Sequence, residues 1–279
     1  MKTPQAQYLV FTGLDGATLN PSQESLQEIL PALELLRSRN IPLIAASMHA
    51  AQEVLPLIRA LDLTDPFIVE NGGAIYVPND SLAVDFKFQR KVENYRLIEL
   101  GGLRRELLRK LAKIRQHGRF DVQGFSELDP AQVAEWDNLD SGQIRAAQAL
   151  EYSELIRFQG ENGELQRIQA EIEQQQMRLL RYGEYHLLSG DHDEGSAVRI
   201  LLQLYREANP DKLLISVGLS DNYLDSSMLH AVDIPILVRQ SDGRFDEQVG
   251  RFGMKFTRNP GPLGWSQAVI AIITEDAEA

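Results

Sequence analysis

Tyr8-Leu-Val-Phe-Thr-Gly-Leu-Asp-Gly-Ala-Thr-Leu19 joins a run of β-forming apolar residues directly to a polar, glycine-bearing loop. Tyr8 to Phe11 suit a buried strand, because bulky and β-branched side chains pack well on a pleated surface. Beyond the loop, Leu26, Ile29, Leu30, Leu33 and Leu36 recur at helical spacing, with Asn20 or Ser22 as the helix cap. Open α/β sheets hold their ligands at the carboxyl ends of parallel strands. The loop Gly13 to Asn20 is therefore the first candidate site.

Working outward, Ile41 to Ala46 and Phe67 to Glu70 read as further short strands, separated by a helix bearing Val54, Leu57, Ile58 and Leu61. A tight Asn71-Gly-Gly turn leads into Ala74-Ile-Tyr-Val. Strands alternating with helices of about a dozen residues predict a parallel sheet with right-handed crossovers. The rhythm changes near Asp85: a long helical pattern spans Tyr95 to His117, and helical pieces cover Pro130 to Trp136 and Ser141 to Leu150. A strand at Leu155 to Phe158 and a helix over Gly163 to Leu180 follow. Past Ser189 the α/β pattern resumes, with strands at Leu213 to Val217 and Ile234 to Val238 and a final helix over Pro262 to Thr274. The expected organisation is an α/β core from residues 1–84 and 190–279, carrying an inserted α+β domain over 85–189.

Composition bounds the function. The 279 residues include no cysteine, which excludes disulfides, thiolate metal sites and cysteine nucleophiles. A net charge of −12 opposes general affinity for nucleic acid or anionic membranes, which need basic surfaces. The densest basic run, Arg104 to Arg115, reads as a solvated helix face. No apolar run reaches membrane-spanning length, so no membrane insertion is expected, and the N-terminus lacks a signal-peptide pattern; the expected location is cytoplasmic.

Two acidic loops follow predicted parallel strands: Gly13-Leu-Asp-Gly and Ser220-Asp-Asn-Tyr-Leu-Asp225. If their strands share one sheet, Asp15, Asp221 and Asp225 converge at its carboxyl edge, where oxygen ligands suit Mg²⁺. The alternative is that these aspartates cap helices. Ser47 likewise reads either as a donor to an anion or as a helix cap. His49 reads as a surface residue and His186 as structural.

Phe11-Thr-Gly-Leu-Asp-Gly-Ala-Thr-Leu19 resembles the first motif, Asp-x-Asp-Gly-x-Thr, of the haloacid dehalogenase-like (HAD) phosphatases. Within them, Ile68-Val-Glu-Asn-Gly-Gly-Ala-Ile-Tyr76, Ala134-Glu-Trp136, Glu151-Tyr-Ser-Glu154 and Pro260-Gly-Pro-Leu-Gly-Trp265 resemble the mannosyl-3-phosphoglycerate phosphatase family. The resemblance covers essentially the whole chain. It implies a HAD-like Rossmannoid core with an inserted cap that closes over the substrate. The family's first Asp attacks phosphorus, and the second protonates the leaving oxygen. A Ser or Thr and a Lys hold the phosphoryl oxygens, while acids of the last loop help bind Mg²⁺. Carried over by motif, the general acid is Asp15 and the hydroxyl Ser47. Metal ligands fall on Asp15, Asp221 and Asp225, and substrate contacts on Asn71 and Gly72.

Two key positions depart from the pattern. Gly13 occupies the nucleophile position, and Glu194, in Asp193-Glu-Gly195, occupies that of the lysine. Glycine can form no phospho-enzyme and removes a metal ligand. Lysine to glutamate moves the local charge by two units, and one unit-charge pair at 4 Å is worth about 4 kcal/mol at an intermediate dielectric. Leu150 stands where the family usually has Arg before Glu-Tyr-Ser-Glu, and Leu155 where it has Pro. The expected protein is a catalytically silent homologue with weak or absent Mg²⁺, acting as a binding, scaffolding or regulatory protein toward a protein partner or a small sugar-type ligand. The alternative is a Mg-dependent hydrolase of a sugar phosphate or related ester.

Overall fold

The computed structural model describes residues 6–14, 23–129, 132, 141–158, 160 and 162–275. Asp15, the Asn20 or Ser22 cap and Ala134-Glu-Trp136 lie outside them. The chain is α/β. The opening strand, β1 (Ala6–Gly13), pairs in parallel with β2 (Leu43–Ala46) on one side and β11 (Leu213–Ser220) on the other. Beyond β2 lie β3 (Phe67–Val69) and β4 (Ala74–Pro78). The hairpin of β5 (Arg90–Val92) and β6 (Tyr95–Glu99) follows, with β6 antiparallel to β4. Beyond β11 lie β12 (Ile234–Arg239) and β13 (Lys255–Pro260). Six strands from β13 to β3 are parallel, in the order β13-β12-β11-β1-β2-β3.

Both faces of this sheet are buried, as a largely parallel sheet requires. Alternate residues of β1 face opposite ways: Val10 packs with α1 (Gln23–Ser38), α2 (Ala51–Ala60) and α8 (Gly261–Glu275). Leu9 and Phe11 pack with α6 (Glu194–Ala208) and with α7 (Ser226–Leu229). Asn40 ends α1 in the left-handed region (φ 51°) that asparagine tolerates.

A second sheet, of order β7-β8-β10-β9, comprises β7 (Val122–Gly124), β8 (Ser153–Phe158), β9 (Met177–Tyr182) and β10 (Tyr185–Gly190). One face packs on α3 (Arg104–Gly118) and α5 (Asn162–Gln174) through Leu107, Leu111, Ile114, Ile168 and Ile172. Near the other face lies α4 (Ser141–Ala149), where Ala147 meets Phe125 and Leu155. The basic run of α3 thus lies on a helix whose apolar stripe is buried.

Two expectations are corrected. The helical pattern assigned to Tyr95 to His117 begins only at Arg104, because Tyr95–Glu99 pairs with β4 and extends the large sheet. Residues 90–99, placed in the inserted domain by the break at 85, therefore pair with the core strands. The helix predicted over Gly163 to Leu180 stops at Gln174; Gln176 turns the chain at φ 55° and Met177–Tyr182 becomes a strand.

Candidate functional site

Parallel pairing brings the ends of β1, β2 and β11 to one edge of the sheet. Thr12 and Gly13 lie beside Ala45 and Ala46, and Thr12 pairs with Leu219. Leu14 N–H donates to Ala46 O at 2.8 Å, which fixes the loop's exit. Thr12 Oγ1 accepts a 3.0 Å hydrogen bond from the buried Trp265 indole of α8. That helix starts on a tight approach: a Cβ at Gly264 would collide with Asn259 O. Pro260-Gly-Pro-Leu-Gly-Trp265 thereby anchors the first loop from behind.

Gly13 has no room for a side chain. A Cβ there would overlap Asp225 Oδ2 and lie 3.0 Å from Asp225 Cγ and 3.4 Å from Ser220 Oγ. Asp225 Oδ2 accepts a 2.5 Å hydrogen bond from Ser220 Oγ and lies 3.5 Å from Asn222 Nδ2. The buried Asp225 carboxylate occupies the space that a residue-13 side chain would take. Neither Asp225, which sits at the N-cap position of α7, nor Ser47 makes a helix-capping side-chain bond. Asp225 precedes α7 without a side-chain capping bond, and α2 begins after Ala50, which has none either. Ser47 is buried at the end of β2, where its Oγ accepts from His49 N–H at 3.0 Å. His49 is half-buried, with Nδ1 3.3 Å from Ser47 Oγ, rather than a surface residue.

The turn after β3 ties these loops together. Glu70, Asn71 and Gly72 have φ values of 49°, 53° and 92°, three successive left-handed residues. Such backbone persists where its surroundings hold it. Asn71 N–H donates to Ser47 O, and Glu70 N–H to His49 O. A Cβ on Gly72 would strike Asp193 O and sit 2.9 Å from Glu194 N, so only glycine allows this approach to the start of α6. Asn71 is buried, and its side-chain amide makes no hydrogen bond among the described residues.

Asp193 caps α6, accepting from Ser196 N–H at 2.8 Å and Oγ at 2.7 Å, and pairs with Arg178 at 3.0 Å. Its pKa is lowered despite burial, by those bonds and the arginine. Glu194 is buried at the first turn of α6, and Gly195 N–H donates to Ser227 Oγ at 3.2 Å. That contact joins α6 to the Asp225 loop. Gly13, Ser47, Asn71, Gly72, Glu194, Asp221 and Asp225 thus lie on loops bonded to one another, and Asp15 is outside the described residues.

Sequence reasoning passed over Glu70 and its partners. The buried Glu70 carboxylate accepts from the N–H groups of Glu151 (2.8 Å) and Tyr152 (2.9 Å) and from Ser153 Oγ (2.6 Å). Burial raises its pKa, and these bonds oppose that rise. Tyr152 Oη donates to Glu99 at 2.5 Å and accepts from Arg90 at 2.8 Å, and Arg90 also pairs with Glu151. Glu154 accepts from Ser126 N–H and Oγ. The Glu151-Tyr-Ser-Glu154 motif therefore fastens the second sheet to the first. His192 is buried where Gly101 and Gly190 approach it, and burial lowers its pKa. The signal for Glu70 was its place in the quoted Ile68 to Tyr76 motif; nothing in the sequence marked His192.

Between Ser47 and the second sheet lies a cavity of about 120 Å³ lined by Met48, His49, Glu53, Gln143, Ala146, Ala147, Leu150, Leu155 and Leu187. Leu150 and Leu155, the two departures noted from sequence, both form its wall. Met48, Ala50, Leu150 and Leu187 pack as one apolar cluster, with Leu224 of the Asp221–Asp225 loop against it. Among the described residues, no three acidic or histidine side chains are grouped to hold a metal ion.

Residues 10–100 match the haloacid dehalogenase-like hydrolase family. The chain is 32% identical over 267 residues to a glucosyl-3-phosphoglycerate/mannosyl-3-phosphoglycerate phosphatase from Methanococcoides burtonii, covering 96% of this chain and 97% of that one. The like-named protein of Persephonella marina is 28% identical over 268 residues, with the same coverage, 96% and 97%. Among solved structures, a HAD phosphatase from Bacteroides thetaiotaomicron superposes with a TM-score of 0.64 at 16% identity, covering 95% of this chain and 94% of that one. The sucrose-phosphatase of Synechocystis, solved with sucrose and phosphate, gives 0.59 at 14% identity, covering 96% and 99%. These likenesses to solved structures bear on fold.

Proposed function

The chain belongs to the haloacid dehalogenase-like hydrolase family, and from that premise we propose that it is a catalytically silent phosphatase relative acting as a binding or regulatory protein. The observation that carries this reading is the Asp225 carboxylate in the side-chain space of Gly13. A phospho-enzyme needs a carboxylate leaving β1, and none can be housed there without displacing Asp225. Glu194, buried at the start of α6, puts a carboxyl group where phosphoryl transfer needs a positive one. On this reading residues 1–84 and 190–279 form the core and 85–189 the cap, the β5–β6 hairpin excepted. The retained motifs hold the two parts together through Glu70, which bonds Glu151, Tyr152 and Ser153.

A second reading keeps hydrolysis of a sugar phosphate. The same observation favours it: Asp225 itself brings a carboxylate into the nucleophile's space, and Asp15 would serve as general acid. Against it stand the Ser220 hydrogen bond on Asp225 Oδ2 and the carboxyl of Glu194 in the lysine position. The test is phosphate release with Mg²⁺ from a sugar-phosphate panel that includes mannosyl-3-phosphoglycerate and glucosyl-3-phosphoglycerate. The silent reading expects none. Turnover abolished by Asp15→Asn or Asp225→Asn establishes the second reading instead.

A further inference from the structure

We infer that the cavity between the two sheets binds a compact, uncharged molecule, apolar in body and carrying one hydrogen-bonding group. The inference deepens the silent-binding reading and rests on it for the absence of phosphate chemistry. The floor is built from Met48, Ala147, Leu150, Leu155 and Leu187, all buried. At about 120 Å³ the space is slightly smaller than the roughly 150 Å³ apolar cavity known to stay dry and accept benzene. It therefore has room for one small ring.

Charge selects among such molecules. The polar lining is His49, half-buried, with Glu53 and Gln143, both exposed. Among the described residues, no lysine or arginine lines the cavity to neutralise an anion. A carboxylate, Glu53, does line it, and the Asp221–Asp225 loop adjoins through Leu224. A phosphate or carboxylate seated against this floor would give up hydration without a cationic partner among the described lining residues. A hydroxyl or amide needs only one partner, which His49 or Gln143 supplies. Leu150 and Leu155 replace the residues that the family resemblance led us to expect. Leu150 in place of an arginine exchanges a cation for apolar wall, and Leu155 in place of a proline keeps the wall apolar.

The test uses the whole protein labelled with [methyl-¹³C]methionine, whose five methionines report separate regions. The Met48 methyl signal is assigned from a Met48→Leu sample. Phenol, neutral at pH 7, should shift the Met48 signal saturably at millimolar concentration, while the Met228 and Met254 signals stay put. Glycerol 3-phosphate should leave Met48 unmoved. Ala146→Leu, which projects a larger side chain from the lining, should weaken phenol at least tenfold. Nuclear Overhauser contacts from the phenol ring to methyls of Leu150, Leu155 and Leu187 in the unsubstituted protein give the same answer without a variant. No Met48 shift by 10 mM phenol, or a shift unaffected by Ala146→Leu and lacking those contacts, overturns the inference. Sugar-phosphate turnover, measured on the same preparation, bears on silence alone. Phenol binding with turnover defeats only the silent reading, and neither binding nor turnover defeats only this one.

Discussion

The carboxylate of Asp225 stands where a side chain on Gly13 would have to be, held there by Ser220 Oγ at 2.5 Å. Gly13→Ala should therefore destabilise the protein by overpacking, by about 1–3 kcal/mol. The cost should fall by at least about 0.5 kcal/mol in an Asp225→Ala background, because the two sites share one volume. Urea unfolding of the four proteins in that cycle measures the coupling. Additive effects would mean that the space is not shared.

This relationship was only half legible in the sequence. The Asp-x-Asp pattern made Gly13 conspicuous, and the alternation of strands and helices put it at the end of a parallel strand. That Asp225 fills the gap depends on the register of β1 against β11, a long-range pairing that local pattern does not encode. The same limit explains the β5–β6 hairpin, where Tyr95 to Glu99 continued a helical-looking pattern until β4 claimed it. Gln176 is similar: a left-handed residue ended a helix that side-chain spacing alone would have continued. Glu70 lay inside a recognised motif, yet its partners are backbone groups 81 and 82 residues away.

Glu70→Ala should cost at least about 3 kcal/mol, since it strands two backbone N–H groups and the Ser153 hydroxyl at a buried site. Glu70→Gln keeps one acceptor oxygen and should lie between Ala and the unsubstituted protein. Chemical denaturation followed by circular dichroism decides this. A loss below about 1 kcal/mol for Ala would remove Glu70 as the fastening between the sheets.

Trp265→Phe deletes the donor to Thr12 Oγ1 while keeping an aromatic ring in the core. The expected loss is about 1–2 kcal/mol, against about 3–5 for Trp265→Ala. Thermal melts of both variants check the order. No loss for Trp265→Phe would show that packing alone matters and that the indole N–H contributes nothing.

His192 gives a pH dependence of definite sign. Its folded pKa is lowered, first by burial and also by Arg178, with a backbone hydrogen bond to Glu70 and then Asp193 and Asp191 opposing. A histidine with a depressed folded pKa contributes stability that is present above its unfolded value of about 6.5 and is lost as pH falls through the folded value. His192→Gln should therefore reduce the loss of stability seen on acidification below about pH 6.5. His186, lowered by burial and then Arg181, acts in the same direction and remains in that variant. Denaturation midpoints from pH 7 to pH 5 for both proteins provide the comparison; parallel curves would contradict it.

The most direct measurement of the central claim is a search for a covalent phospho-enzyme. The protein is mixed with Mg²⁺ and mannosyl-3-phosphoglycerate or glucosyl-3-phosphoglycerate, quenched in acid within a turnover time, and weighed intact by mass spectrometry. With glycine at position 13 and the Asp225 carboxylate bonded to Ser220, the account predicts that no phosphoryl group is gained. A phosphoryl adduct that disappears in Asp225→Asn or Asp15→Asn would contradict it, and would make this chain a phosphatase with a relocated nucleophile.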